Sequence, residues 1–150
     1  MNKFQTISYR LIKALLTFTL LFSFVEATAQ IPKEFDKYLQ KTDTTNLYWQ
    51  VDKNPSFKGG YESLVNFYQK HFIYPRDSRK NGIEGIVYVL FIVETNGEIT
   101  NVVATNSVDG YLEKEAVKFI KKMPKWIPGE KDGRKVRVLN IQPVKFSLKD

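Results

Sequence analysis

Eight consecutive apolar residues, Ile86 to Val93, followed three positions later by Asn96-Gly97, constrain this chain more than any other feature. A strand sends alternate side chains to opposite faces, so a run that is apolar throughout is apolar on both faces. Such a strand is usually central, with a neighbour on each edge. Asn-Gly is the strongest two-residue hairpin signal, because both turn positions favour positive φ. A two-residue turn there sets Thr95 opposite Glu98, Val93 opposite Thr100, Phe91 opposite Val102 and Val89 opposite Ala104. The return strand then runs from Glu98 to about Asn106. One face carries Val89, Phe91 and Val93, and the other carries Ile86, Tyr88, Leu90 and Ile92.

A helix precedes the hairpin and another follows it. Gly59-Gly60 opens the first, in which Tyr61, Leu64, Val65, Tyr68 and Phe72 recur at helical spacing before Tyr74-Pro75 ends it. Asp109 caps the second, Glu113 and Glu115 favour its N-terminal dipole, and Leu112, Ala116, Phe119, Ile120 and Met123 form its buried stripe. Pro124 stops it. Asp132-Gly133 turns the chain into a last strand, about Lys135 to Leu148. The expected fold is α+β: a two-layer sandwich with a three-stranded antiparallel sheet in order 2-1-3 and both helices on one face. The last strand is then an edge, which suits Pro143.

The N-terminus reads differently. Lys3, Arg10 and Lys13 precede a charge-free run from Ala14 to Val25, and Ala27-Thr28-Ala29 has the small residues of an export cleavage site. Twelve helical residues reach ~18 Å against a hydrocarbon core of ~30 Å, which favours a signal peptide over 1–29 rather than a short membrane anchor. Residues 30–53 are polar and mixed in charge, a loosely ordered lead-in to a domain over 54–150.

Composition removes most chemistry. With no cysteine and a single histidine, disulfides, thiolate metal sites, cysteine nucleophiles and multi-histidine metal centres are all excluded. His71 sits at a helix end with no nucleophile near it in sequence. Glu94 and Glu98 flank the hairpin turn, where a carboxylate pair is most simply solvated. Trp49 and Trp126 are most simply anchors of the core. No phosphate loop, dinucleotide fingerprint or nucleophile elbow is present. No cofactor is expected and the chain is read as a non-enzyme. The net charge of +7 is local, with eight bases against Glu130 and Asp132 between 118 and 139. In an exported protein this is a solvated face or a surface for an acidic or anionic-membrane partner, not a nucleic-acid site. An exposed edge strand carrying Arg134, Lys135 and Arg137 has two readings: charges that blunt unwanted pairing, or a rail for strand addition.

The chain resembles the C-terminal domain of TonB, the periplasmic energy transducer of two-membraned bacteria. The resemblance rests on Pro55-x-Phe57-x-Gly59-Gly60, Tyr74-Pro75, Gly82-Ile83-Glu84-Gly85, Asn96-Gly97-Glu98-Ile99 and Val108-Asp109 with Leu112. It continues through Glu115-Ala116, Met123-Pro124-Lys125-Trp126-x-Pro128-Gly129 and Pro143-Val144-x-Phe146, so that about residues 54–148 are covered. It implies a non-catalytic periplasmic module that captures the TonB box, an extended segment of an outer-membrane receptor, beside its last strand. The implied contacts are Arg134, Lys135, Val136, Arg137, Val138, Leu139, Asn140, Ile141 and Gln142, with Tyr74 and Pro75 as a second region. Residues 1–30 contain no histidine, and the 24-residue lead-in extends to at most ~80 Å. The energy-coupling half of a full transducer is therefore not expected. An uncleaved N-terminus would bring in the ExbB–ExbD proton channel as a further partner. The alternative is a structural envelope protein that reuses the fold and dimerises through the edge strand.

Overall fold

The computed structural model describes residues 31–106 and 108–148, so the expected signal peptide lies outside the described residues. A 3-10 turn (Lys33–Phe35) leads into α1 (Asp36–Leu39) and β1 (Leu47–Tyr48). Next come α2 (Gly60–His71), α3 (Arg76–Lys80), β2 (Gly85–Val93), β3 (Ile99–Ala104), α4 (Gly110–Lys121), β4 (Gly129–Lys131) and β5 (Arg134–Phe146).

The sheet has five strands and is mixed, which corrects the three-stranded antiparallel expectation. Its order is β1-β5-β2-β3, with β4 paired to β5 off that path. The β2 strand pairs antiparallel with β3 on one side and with β5 on the other. The last strand is not a simple edge. Its first three residues pair with β4, and Arg137 and Val138 pair in parallel with Leu47 and Tyr48 of β1. Neither added strand has a sequence signal of its own: each is two or three residues long and is held by its partner.

The hairpin is also tighter in one respect and looser in another than a two-residue turn. Glu94 N–H donates to Glu98 O at 2.9 Å and Gly97 N–H to Glu94 O at 2.8 Å. Of the pair Asn96-Gly97 only Gly97 has positive φ, +81°. This is a three-residue loop ending in a left-handed glycine. Val93 therefore pairs with Ile99 and Ile92 with Thr100, one position from the expected register. Asn101, at φ 53°, then forms a bulge that absorbs the extra residue, so Leu90 pairs with Val103 and Val89 with Ala104.

Both faces of β2 are covered, by different parts of the chain. Val87, Val89, Phe91 and Val93 meet α4 through Leu112, Ala116, Phe119 and Ile120, all at most 1% exposed. Leu64, Phe67, Tyr68 and Phe72 extend this core from α2. That helix has no fully buried residue, and Tyr61, expected on its inner face, is 80% exposed. The opposite face is closed by the lead-in, which is ordered rather than loose. Phe35, Leu39 and Leu47 bury Leu90, Ile92 and Leu139. At about 1.5–3 kcal/mol for each buried large side chain, the lead-in contributes several kcal/mol of gross burial. It stops short of Ile86 and Tyr88, which remain exposed at the far end of the same face.

Candidate docking edge

The backbone on the outer side of β5 follows from the β2–β3 ladder. Thr105 N–H donates to Tyr88 O, and Tyr88 N–H donates to Asn106 Oδ1, both at 2.7–2.9 Å. Tyr88 thus spends its N–H and C=O toward β3. In an antiparallel ladder its opposite residue on the other side, Pro143, then points its backbone away from β2. The same alternation sends Leu139 and Ile141 outward, while Val138, Asn140 and Gln142 face β2. Pro143 has no N–H to offer. Arg137, next in the outward series, meets Leu47 of β1. Tyr48, the parallel partner of inward-facing Val138, bonds the outward positions on either side of it, the Arg137 carbonyl and the Leu139 N–H. Among the described residues, Ile141 is left as the outward-facing position with both a donor and an acceptor and no strand beside it, and Leu139 contributes its outward carbonyl.

The nine residues expected along this rail therefore stand in three settings. Arg134, Lys135 and Val136 are the second arm of the β4–β5 hairpin, opposite Lys131, Glu130 and Gly129. Arg137 and Val138 hold β1. Leu139, Asn140, Ile141 and Gln142 pair with β2 on one side, and past the Leu139 N–H no strand lies along the other. The far side of β4 is closed by backbone bonds from Asp52 and Lys53 to Glu130 and by the Ser56–Ile127 bridge.

Arg137 is the pivot. Its Nε donates to Glu94 Oε2 at 2.8 Å, and one terminal nitrogen donates to the carbonyls of Asp43 and Thr45 at 2.9 and 3.0 Å. Its side chain is only 20% exposed. One guanidinium thereby fastens the loop before β1 to the end of β2, and the sequence reading had counted it as a surface charge. Burial works to raise the pKa of Glu94, but hydrogen bonds from Arg137 and Thr100 outweigh it and hold the carboxyl below its usual range. A hydrogen bond from Lys125 does the same for Glu98. Two carboxyls both held in the ionised form are salt-bridge partners, not a general acid–base pair.

The Tyr74-Pro75 region is a brace. Tyr74 is buried, its hydroxyl donates to Ile83 O at 2.6 Å, and its ring meets Phe146 edge-on at 5.5 Å. Pro75 begins α3, a helix the sequence reading did not find. Ser78 of that helix is fully buried and donates to Asp109 Oδ1 at 2.7 Å. Asp109 in turn accepts from the N–H groups of Tyr111 and Leu112, as an N-cap should. The bond from Ser78, with those from the two amides, lowers its pKa against the opposing effect of burial. Trp126 fills the core against Phe57 and Phe91, while Trp49 packs on Phe35 in the lead-in.

The basic segment does not form one patch. Lys125 pairs with Glu98, Lys131 lies over the Tyr48 ring, and Arg137 is turned inward. Lys118, Lys121 and Lys122 line an open cleft between α4 and the β3 edge. His71 stacks on Phe67 with Nδ1 3.0 Å from the Phe67 carbonyl. Among the described residues no helix is long and apolar enough to cross a membrane, and no group of three His, Asp or Glu side chains could hold a metal.

An antiparallel hairpin joined to a long last strand, with α2 and α4 on one face and the lead-in over part of the other, makes a small α+β domain with a partly covered strand edge. The family described as Gram-negative bacterial TonB protein C-terminal matches residues 70–148, and this chain belongs to that family. The family is a non-catalytic, periplasmic protein-interaction and energy-transduction domain whose members interact with outer-membrane TonB-dependent receptors. Two NMR solution structures of Helicobacter pylori TonB-CTD are similar to the chain. One is 24% identical, with 59% of this chain and 94% of that chain covered and a TM-score of 0.46. The other is 25% identical, with 58% and 78% covered and a TM-score of 0.44. No curated protein matches.

Proposed function

We propose that this protein is an exported, periplasmic docking module that binds an extended segment of an outer-membrane TonB-dependent receptor by adding it as a strand beside β5. The observation that supports this reading is the outward backbone of β5 immediately beyond β1, where Ile141 has no strand beside it and the Leu139 carbonyl faces the same way. Backbone bonds there give affinity, and alternate side chains of the guest meet the two faces of the sheet. On one face the guest approaches Ile141, Pro143 and the exposed ring of Tyr88. Arg134 to Val138 continue the rail but already have partners, and Pro143 limits it at the other end. Tyr74 acts through Phe146 rather than by contact, which leaves Pro75 as the accessible member of that pair.

The test is a titration of the isotope-labelled chain with TonB-box peptides, followed by backbone amide shifts. Shifts from Leu139 to Ile141 and slowed exchange at Ile141 are expected. No change at millimolar peptide rejects the rail. A concentration-dependent mass with the same amides protected would assign the edge to a second copy of the chain instead.

A further inference from the structure

The outer side of β5 already has an occupant. We infer that the lead-in strand and an incoming partner strand compete for it, so that residues 42–48 act as a displaceable cover over the first half of the docking edge. This rests on the docking reading above.

The open stretch makes a poor site. A guest paired only at Ile141 and the Leu139 carbonyl forms fewer ladder bonds than a strand of the usual five or six residues. Lengthening the pairing toward Pro143 fails because proline has no donor. The remaining direction is toward Arg137, where Leu47 stands. A full-length guest must therefore take the place of β1.

The lead-in is built in two parts that differ in how firmly they are held. Phe35, Leu39 and Tyr38 pack on the sheet, and the Tyr38 hydroxyl bonds the Thr105 carbonyl at 2.5 Å. Asp43 to Asn46 are exposed, and only Leu47 in the following pair is buried. The fastenings of this second part are mostly at the surface: the Arg137 bonds to two backbone carbonyls and its ion pair with Asp43, the Thr42–Asn101 side-chain contact, Lys131 over the Tyr48 ring, the short β1 ladder and the one buried side chain, Leu47. Asn46 enters β1 at φ 53°, a conformation that asparagine tolerates and proline cannot adopt. Low local stability of this kind marks segments that open without the rest of the fold. Release of 42–48 would leave α1 in place over Leu90 and Ile92. It would also free Arg137, whose side chain stays tied to Glu94 while its backbone becomes available.

The experiment compares the full-length chain with Asn46→Pro and Leu47→Pro, using labelled TonB-box peptides as the probe and hydrogen exchange as the second readout. Proline cannot adopt the positive φ at 46, and at 47 it removes both the N–H that closes the turn onto Thr44 O and the buried leucine side chain, so each change loosens the 42–48 segment without altering the sequence of β5. Both variants should bind at least tenfold more tightly. In the wild type, peptide should raise protection at Ile141 while lowering it at Leu47 and Tyr48. Thermal melting with near-UV circular dichroism checks that the domain core persists. Wild-type binding with unchanged affinity in both variants, and steady protection at Leu47, overturns the competition but leaves the docking reading standing. Failure of all three proteins to bind overturns both.

Discussion

Arg137 and Glu94 meet at 2.8 Å at the junction of three strands, each about four-fifths buried. The carboxylate also accepts from Thr100 Oγ1 at 2.6 Å, so two strands and the lead-in loop converge on one ion pair. Removing either partner leaves the other partly buried without its counter-charge. Arg137→Ala should cost about 1–3 kcal/mol in urea unfolding, below the range for fully buried pairs because some water reaches the site. Because the native Glu94 pKa is depressed, its contribution is present above the unfolded-state pKa and disappears as pH falls through the native one. The stability gap between wild type and Glu94→Gln should therefore close in acid. A gap that stayed constant would show that the charge is not what matters.

Gly97 is fixed by a neighbour as well as by its own backbone. A Cβ there would stand 2.1 Å from the Trp126 carbonyl oxygen, while Gly97 O accepts from Trp126 N–H at 2.8 Å. Gly97→Ala should lose more than about 2 kcal/mol, combining left-handed strain with a backbone clash. Equilibrium unfolding measures it, and a loss under 0.5 kcal/mol would contradict the contact.

Tyr74→Phe isolates one hydrogen bond, the 2.6 Å bond to Ile83 O, and should cost about 1 kcal/mol. Tyr74→Ala also removes the ring from Phe146 and should cost roughly 3–5 kcal/mol. Peptide affinity measured well below each melting temperature should be unchanged for the Phe variant. A large affinity loss there would place the hydroxyl in direct contact with the partner.

Ser78→Ala should destabilise by about 1 kcal/mol, since the hydroxyl is fully buried and bonded to the Asp109 carboxylate. Asp109 has a depressed pKa, so the cap stabilises above its unfolded pKa and fails as pH falls through the native value. Helical circular dichroism of Asp109→Asn should be less sensitive to acid than that of the wild type.

The β2 strand and the Asp109 cap were legible because their signals are local: an unbroken apolar run, and an acid immediately before a helical stripe. The turn was not. Asn-Gly suits both a two-residue turn and a three-residue loop, and the loop seen here is held by Trp126, which is 29 positions away and bonds Gly97. The α3 helix, Arg-Asp-Ser-Arg-Lys, has no apolar period, and tertiary bonds to Tyr74 and Asp109 hold it. Phe35, Tyr38 and Leu39 do carry a helical spacing that the polar composition around them masked. At the docking edge the strand was readable from Lys135 onward, but its occupancy was not. Nothing in Leu47-Tyr48 indicates a partner 90 positions later.

That separation orders events in the life of the chain. A ribosome delivers residues 31–49 before any of the sheet they cover, so Leu47 has no ladder to join until Val138 has emerged and β2 has accepted β5. The first segment made is the last that can dock. Closing so long a loop is slow relative to forming the β2–β3 hairpin. Every newly made molecule therefore passes through a stage with its β5 flank bare, and that stage lasts only as long as the tethered N-terminal segment takes to close across it.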